Sequence, residues 1–169
     1  MSAIITIDAR IQRALDFFNQ DSLWFGFGKT SPWGDPDEPP PPDPELRGLL
    51  ELVGLKKVIT KHLVVPDEAG TIVFRGQNFR IISSDEAFDE RCRWVYLETT
   101  VEYDELPLEV YRQIGVYSRV VPQSSVPPGQ TTLVPSEIED SGVLEYYANE
   151  IERTRTYDEV DTFRVVIEM

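Results

Sequence analysis

The sequence predicts a mainly β fold of the α+β type: an antiparallel β domain, one or two peripheral helices and an extended proline-rich N-terminal arm. Several segments alternate apolar and polar residues with the period of two that half-buried strands require. Near the N-terminus, apolar residues instead follow a helical period and then give way to a stretch rich in proline. We therefore divide the chain into residues 1–44, a helix and a docking arm, and residues 45–169, the β domain.

The first element is predicted to be an amphipathic helix over residues 8–19. Ile11, Leu15 and Phe18 recur at helical spacing, so they are expected to share one face. Asp8 is a suitable N-cap, because its side-chain oxygen can accept from the free N–H groups of the first turn. A polar stretch after Phe18 ends the helix.

Residues 21–44 are predicted to form an extended arm. They hold seven of the 13 prolines of the chain, and proline removes backbone donors and prevents helix formation. The same stretch carries large aromatic side chains, which cost free energy if they stay in water, so we expect the arm to dock on another subunit. The residues predicted to make this contact are Trp24, Phe25, Phe27, Trp33, Pro39, Pro40, Pro41 and Pro42.

A second, short helix is expected over residues 45–52, since Pro44 suits a helix start and Gly54 a helix end. The remaining elements are strands. A hairpin is predicted to turn at Gly76-Gln77 with a type II′ geometry, in which glycine comes first. The predicted strand regions are residues 56–65, 71–83, 93–103, 110–121 and 162–168.

A further candidate contact lies near the C-terminus. Residues 150–161 mix Arg153 and Arg155 with several carboxylates, and mixed charge of this kind suits the rim of a subunit interface. The strand at residues 163–167 is expected to pair within its own sheet, because its apolar face is costly to leave in water. Both arginines are therefore predicted to bind a partner, and their reversal to glutamate is predicted to leave the isolated domain folded.

Composition argues against several classes of function. The formal net charge of −14 would repel a phosphate backbone, so we predict no nucleic-acid partner. Cys92 is the only cysteine and His62 the only histidine, which leaves too few ligands for a transition-metal site and excludes Cys–His catalysis. No apolar stretch approaches 18 residues, so we predict no membrane insertion and synthesis in the cytoplasm.

No catalytic residue is predicted. The chain lacks the common nucleophile, zinc-protease and dinucleotide motifs. Residues 26–30 resemble a phosphate loop only in their last three positions, and Pro32 prevents the helix that such a loop needs. The acidic groups at residues 85–90 and 102–105 are interpreted as solvated loops, with calcium ligands or the carboxylate pair of a small hydrolase as alternatives. We therefore predict no enzyme, no cofactor, no metal site and no small-molecule substrate.

Three segments, taken in order along the chain, carry a resemblance to a known family. They are residues 23–44, LWFGFGKTSPWGDPDEPPPPDP, residues 111–118, YRQIGVYS, and residues 142–169, GVLEYYANEIERTRTYDEVDTFRVVIEM. Together they resemble the baseplate wedge proteins of contractile-tailed bacteriophages. The resemblance implies a non-enzymatic structural subunit of the virion baseplate. It also implies that the subunit joins other tail and baseplate proteins, in several copies per particle.

An alternative function is that of a carbohydrate- or receptor-binding tail module. In such a module Trp24, Trp33 and Trp94 would stack on sugar rings while carboxylates bind the hydroxyls. This function requires the tryptophans to be exposed around one concave site. An assembly function instead requires an arm that is disordered or projects in the isolated protein.

Overall fold

A computed structural model describes residues 2–34 and 38–169 and confirms the mainly β prediction. Within these ranges, a single α-helix, α1 (Ile7–Phe18), precedes the strands. The strands are β1 (Leu23–Gly28), β2 (Gly54–Lys57), β3 (Thr60–Pro66), β4 (Ile72–Phe74), β5 (Gln77–Ile82), β6 (Trp94–Val101), β7 (Val110–Ser118), β8 (Val121–Pro122), β9 (Thr132–Leu133), β10 (Ile138–Asp140), β11 (Val143–Thr154) and β12 (Asp161–Glu168). No described helix is both long and apolar enough to cross a membrane.

The chain forms two compact units, which differ from the predicted division at residue 44. Unit 1 takes the chain up to Asp21, then Ile59–Glu98 and Phe163–Met169. Unit 2 takes Ser22–Val58 and Thr99–Thr162. The difference arises because strands from distant parts of the sequence share one sheet, so neither unit is a continuous stretch of chain.

Unit 1 contains α1 and a five-stranded sheet in the order β12-β6-β3-β5-β4. The buried face of α1 is formed by Ile11, Ala14 and Phe17, and the helix contacts β3. Thr6, rather than the predicted Asp8, is the N-cap, and its hydroxyl accepts a hydrogen bond from the backbone N–H of Ala9 at 3.2 Å. As predicted, β12 pairs within the chain's own sheet, where it lies at the edge beside β6.

The hairpin of unit 1 turns one residue earlier than predicted. Phe74 pairs with Gln77, which leaves Arg75 and Gly76 as the two turn residues. Both have positive φ angles, 50° and 78°, as a type I′ turn requires. The predicted type II′ turn at Gly76-Gln77 is therefore wrong, because the sheet pairing assigns Gln77 to β5.

Unit 2 contains a five-stranded sheet in the order β11-β7-β1-β2-β9 and a two-stranded sheet of β8 and β10. β1 is the central strand, and it pairs antiparallel with β2 on one side and β7 on the other. The core on this sheet is formed by buried side chains from several elements: Trp24, Leu49, Leu55, Tyr117 and Leu133. Residues 21–44 therefore contribute a core strand and do not form an arm over their whole length.

The predicted helix at residues 45–52 is absent from the structure, which shows turns there. In the second half of this segment, two backbone N–H groups donate to distant side chains instead. The N–H of Leu49 donates to the hydroxyl of Tyr117 at 2.7 Å, and the N–H of Leu50 donates to the side-chain oxygen of Gln113 at 2.8 Å. These donors are satisfied outside the segment, so the local helix signals are overridden by tertiary contacts.

The side chains of Tyr117 and Leu55 leave no room for a Cβ atom at Gly26, and we predict that Gly26→Ala destabilises the protein. A Cβ atom there would lie 2.6 Å from Cε2 of Tyr117 and 3.1 Å from Cδ2 of Leu55. Overpacking of this kind typically lowers the free energy of unfolding by about 1–3 kcal/mol. Chemical denaturation of the purified variant measures the change. Gly34→Ala is the matched control, because its Cβ would meet open space. A Gly26→Ala variant as stable as the control would show that the Tyr117 ring moves aside without cost.

Candidate protein-protein interface

Three of the predicted contact residues lie in the core of unit 2. Trp24, Phe25 and Phe27 belong to β1 and are only 4%, 1% and 2% exposed. The indole N–H of Trp24 donates to the hydroxyl of Ser22 at 2.7 Å. The ring of Phe27 packs edge-to-face on Tyr111, with 5.4 Å between the ring centroids. In this fold these side chains hold their own sheet together, so the placement on a docking arm is corrected.

The reason lies in the composition of β1. All six residues of LWFGFG are buried, as is typical of a strand covered on both faces. The glycines at positions 26 and 28 allow neighbouring atoms to approach the strand: a Cβ on Gly28 would lie 2.5 Å from the carbonyl oxygen of Leu50. The short, continuous apolar run at residues 23–28 is the sequence signal that could have indicated a buried strand.

Trp33 and the proline-rich segment contact β11 of the same chain. The indole N–H of Trp33 donates to the backbone carbonyl of Glu150 at 3.0 Å. The side-chain amide of Asn149 donates to the carbonyl of Pro40 at 2.9 Å. The segment that was predicted to lie on a neighbouring subunit is therefore hydrogen-bonded to β11, an edge strand of unit 2. Its described residues do not form the projecting arm that the sequence led us to expect of an assembly protein.

The prolines at residues 39–42 stay at the surface. The hydroxyl of Tyr147 donates to the carbonyl of Asp43 at 2.9 Å, which fixes the end of the segment. Pro39 is half-buried, and the other three prolines are exposed. Part of the predicted arm, residues 35–37, lies outside the described residues. The exposed prolines are thus positioned on the fold and accessible to a partner.

The glycine-rich residues that resembled a phosphate loop have a structural role. The ammonium of Lys29 lies 3.3 Å from the carboxylate of Glu51 and 5.2 Å from the centre of the Trp33 ring. Hydrogen bonds from the side chain and then the backbone of Ser31 hold the pKa of Glu51 below its usual range. The ammonium of Lys29 therefore contacts Glu51 and the ring of Trp33, and these contacts hold Trp33 in place.

The two predicted contact arginines occupy different environments. Arg153 is exposed, with its guanidinium 3.6 Å from the carboxylate of Glu150. Arg155 is buried and forms an ion pair with Asp161 at 3.1 Å. The guanidinium of Arg155 also donates to three backbone carbonyls, those of Glu102 at 2.6 Å, Leu106 at 3.0 Å and Pro107 at 3.2 Å.

Arg155 is therefore an internal structural partner, and its assignment to an interface is corrected. It connects residues 102–107 to the segment that leads into β12. A glutamate in its place would face three carbonyl oxygens and Asp161, so the double reversal of Arg153 and Arg155 is now expected to unfold unit 2. The mixed charge of residues 150–161 does not indicate which of the two arginines, Arg153 or Arg155, is buried.

The tryptophans do not form the exposed stacking surface that a carbohydrate-binding module requires. Trp24 is buried in the core of unit 2. Trp33 is half-buried, with the ammonium of Lys29 5.2 Å from its ring centre. Trp94 is half-buried, with the guanidinium of Arg93 4.3 Å from its ring centre. No described tryptophan is thus presented as an open platform for a sugar ring.

The carboxylates with displaced pKa values are held in their charged form. Hydrogen bonds from Tyr96 and then Arg164 keep the pKa of Glu98 below its usual range. Among the described residues, the other displaced carboxyl pKa values are lowered as well, those of Glu51, Asp67, Glu86 and Glu105. A general acid needs a raised pKa, so these groups are suited to hydrogen bonding and ion pairing. Within residues 2–34 and 38–169, no cluster of three or more His, Cys, Asp or Glu is arranged to hold a metal ion.

Comparison with known proteins gives the family of the chain. The family described as "Baseplate wedge 3 tail fiber network component" matches residues 2–169. Virion protein 3 of Enterococcus phage phiEF24C is 32% identical over 174 residues, which cover 99% of this chain and 95% of that protein. These matches confirm the resemblance to phage baseplate wedge proteins. The chain therefore belongs to the baseplate wedge 3 tail fiber network component family of bacteriophage virion structural proteins.

Proposed function

We propose that this chain is a wedge subunit of a phage tail baseplate, which mediates assembly by binding neighbouring tail and baseplate proteins. The observation that carries the proposal is the family match along residues 2–169. The subunit is made in the host cytoplasm, enters the baseplate in several copies and has no catalytic activity. The net charge of −14 supports protein partners over nucleic acid.

The sheet edges of the two units support an assembly function. β11, an edge strand of 12 residues, closes one side of the sheet in unit 2. β12, an edge strand of 8 residues, closes one side of the sheet in unit 1. An edge strand offers backbone donors and acceptors to which a strand of another chain can add. Near Asn149 and Glu150 the edge of β11 already carries Pro40 and Trp33 of its own chain. The rest of β11 and the whole of β12 supply the edge length that we propose for contacts between subunits.

The proposed contact residues are those contact residues predicted from the sequence whose side chains lie at the surface. Three of the prolines at residues 39–42 are exposed, and their rigid backbone loses little entropy on docking. Trp33 and Arg153 lie beside them on the same unit through their contacts with Glu150. The buried residues of β1 and Arg155 act indirectly, by holding this surface in place.

The proposal predicts that a phage without this chain does not complete its baseplate. A nonsense codon in the gene should give tails with incomplete baseplates, as seen by electron microscopy, and infectivity should return when the chain is supplied from a plasmid. A plasmid-borne Phe88→Ala variant is a matched control, because Phe88 is exposed on unit 1, outside the proposed contacts. Immunogold label against the restored chain should lie at the baseplate end of the tail. Complete baseplates without the chain, or label elsewhere on the particle, would refute the wedge assignment.

A further inference from the structure

Two loops of unit 2 present exposed aromatic and aliphatic side chains together. We call residues 102–109 and 156–160 the acidic tyrosine surface. The rings of Tyr103 and Tyr157, one from each loop, lie 5.6 Å apart and are tilted by 37°. Tyr103 is 45% exposed and Tyr157 is 71% exposed. Leu108 and Val160, from the same loops, are exposed as well, so this apolar area is left in water by the fold itself.

The buried guanidinium of Arg155 holds the two loops of this surface in place. It donates to carbonyls of the first loop and pairs with Asp161 immediately after the second loop. The two loops are therefore fixed to each other before any partner arrives. A contact surface that is organised in advance loses less conformational entropy on binding. Tyr103 and Tyr157 can thus act as rigid anchors, a role for which tyrosine is enriched at interfaces.

The charge of the surface is entirely negative. Residues 102–109 and 156–160 contain no lysine or arginine. Two nearby carboxylates are neutralised within the chain, since Glu105 pairs with Lys56 and Asp161 with Arg155. The others are exposed and have no ion-pair partner among the described residues: Glu102, Asp104, Glu109, Asp158 and Glu159. The tyrosine pair is thus accompanied by carboxylates that nothing in the described chain neutralises.

We propose that the acidic tyrosine surface binds a basic segment of another baseplate or tail protein. Lysine or arginine of that segment would lie against the Tyr103 and Tyr157 rings, where the ring faces attract a cation, and would pair with the surrounding carboxylates. Apolar groups of the segment would cover Leu108 and Val160. This inference rests on the proposed function and adds the surface and the chemistry of its partner. A second copy of this chain is disfavoured as the occupant, because each copy carries a net charge of −14.

Photo-crosslinking in the assembled particle tests the proposal directly. A photo-crosslinking amino acid replaces Thr156, which is exposed beside Tyr157, in a plasmid-borne chain that complements the phage. Irradiated particles are expected to yield a crosslink to a lysine- or arginine-rich segment of another virion protein, identified by mass spectrometry. The matched control places the same amino acid at Asp89, an exposed position of unit 1. A crosslink from position 156 to an acidic segment or to a second copy of this chain, or no crosslink from incorporated chains, would overturn the proposal.

Charge reversal gives an independent measurement. The double variant Asp104→Lys with Asp158→Lys is expected to lower the number of incorporated copies per particle about tenfold or more, because like charges would then meet. Tyr103→Ser with Tyr157→Ser should reduce incorporation in the same direction without any change of charge. The matched control, Asp85→Lys with Asp89→Lys, makes the same charge change at exposed positions of unit 1 and should incorporate normally. Thermal melting of each purified variant is expected to match the wild type.

The outcomes separate this inference from the proposed function. Normal incorporation of both double variants would reject the acidic tyrosine surface as a contact and leave the chain as a baseplate subunit. Absence of the wild-type chain from purified particles would reject the proposed function, and the inference would fall with it. Reduced incorporation of the unit 1 control to the same degree would also reject the surface, because the effect would then follow net charge.

Discussion

Replacing Phe25 with alanine is expected to lower the free energy of unfolding by about 3–5 kcal/mol, the usual range for removal of a buried aromatic side chain. Phe25 lies at the middle of β1, and β1 is the central strand of the sheet in unit 2. Its neighbours on both sides, Lys56 in β2 and Val116 in β7, are themselves buried and fixed by strand pairing. The cavity left by the ring therefore has little freedom to collapse. Chemical denaturation of the purified variant measures the change.

Phe88→Ala is the matched control for this prediction. Phe88 is 49% exposed, so its loss should change stability by less than about 1 kcal/mol. The same geometry changes the expected result of deleting residues 21–44. A removable arm would leave the β domain folded, whereas the loss of β1 should unfold the sheet of unit 2. A Phe25→Ala variant that is as stable as Phe88→Ala would place the ring outside the core and restore the arm as the better description.

Replacing Arg155 with methionine is expected to destabilise the protein by about 3–5 kcal/mol, because it breaks a buried ion pair and removes its hydrogen bonds. The methionine side chain fills a similar volume but donates no hydrogen bond. The carbonyls of Glu102, Leu106 and Pro107 would each lose this donor, and Asp161 would lose its cation. The released loops should also become accessible to proteases.

Arg153→Met is the matched control, because it makes the same chemical change two residues earlier at an exposed position. Its effect on unfolding is expected to stay within about 0.5 kcal/mol, as is usual for surface substitutions. Limited proteolysis followed by mass spectrometry should show new cleavage at residues 102–107 in the Arg155 variant alone. Equal stabilities of the two variants would mean that the guanidinium of Arg155 is exposed in solution.

The elements that the sequence predicted correctly are those whose signal is local. α1 was expected at residues 8–19 and begins one residue earlier, because Thr6 provides the cap. Alternation over residues 93–103 predicted β6, in which Val95, Leu97, Thr99 and Val101 are all buried. In α1 and β6, the residues whose periodicity predicts the element are the residues that form it.

The elements that the sequence did not predict depend on distant partners. The aromatic residues of β1 indicate that this segment is buried. Only the pairing of β1 with β2 and β7 shows that it is buried within its own chain and not against a partner. The backbone N–H groups of Leu49 and Leu50 donate to Tyr117 and Gln113, more than sixty residues away in the chain. Likewise, Tyr103 and Tyr157 meet only because Arg155 joins their loops. Periodicity within a segment contains no information on such contacts.

The interleaving of the two units has a consequence for biosynthesis. The chain passes from one unit to the other after Asp21, Val58, Glu98 and Thr162. The sheet of unit 1 therefore stays incomplete on the ribosome until β12 has emerged, after the other strands of the described residues have been translated. Pairing between such distant segments is slow, because a long loop must close before the contacts form. A prematurely terminated product would expose the edge of β6, so translation errors yield aggregation-prone chains and not shortened building blocks.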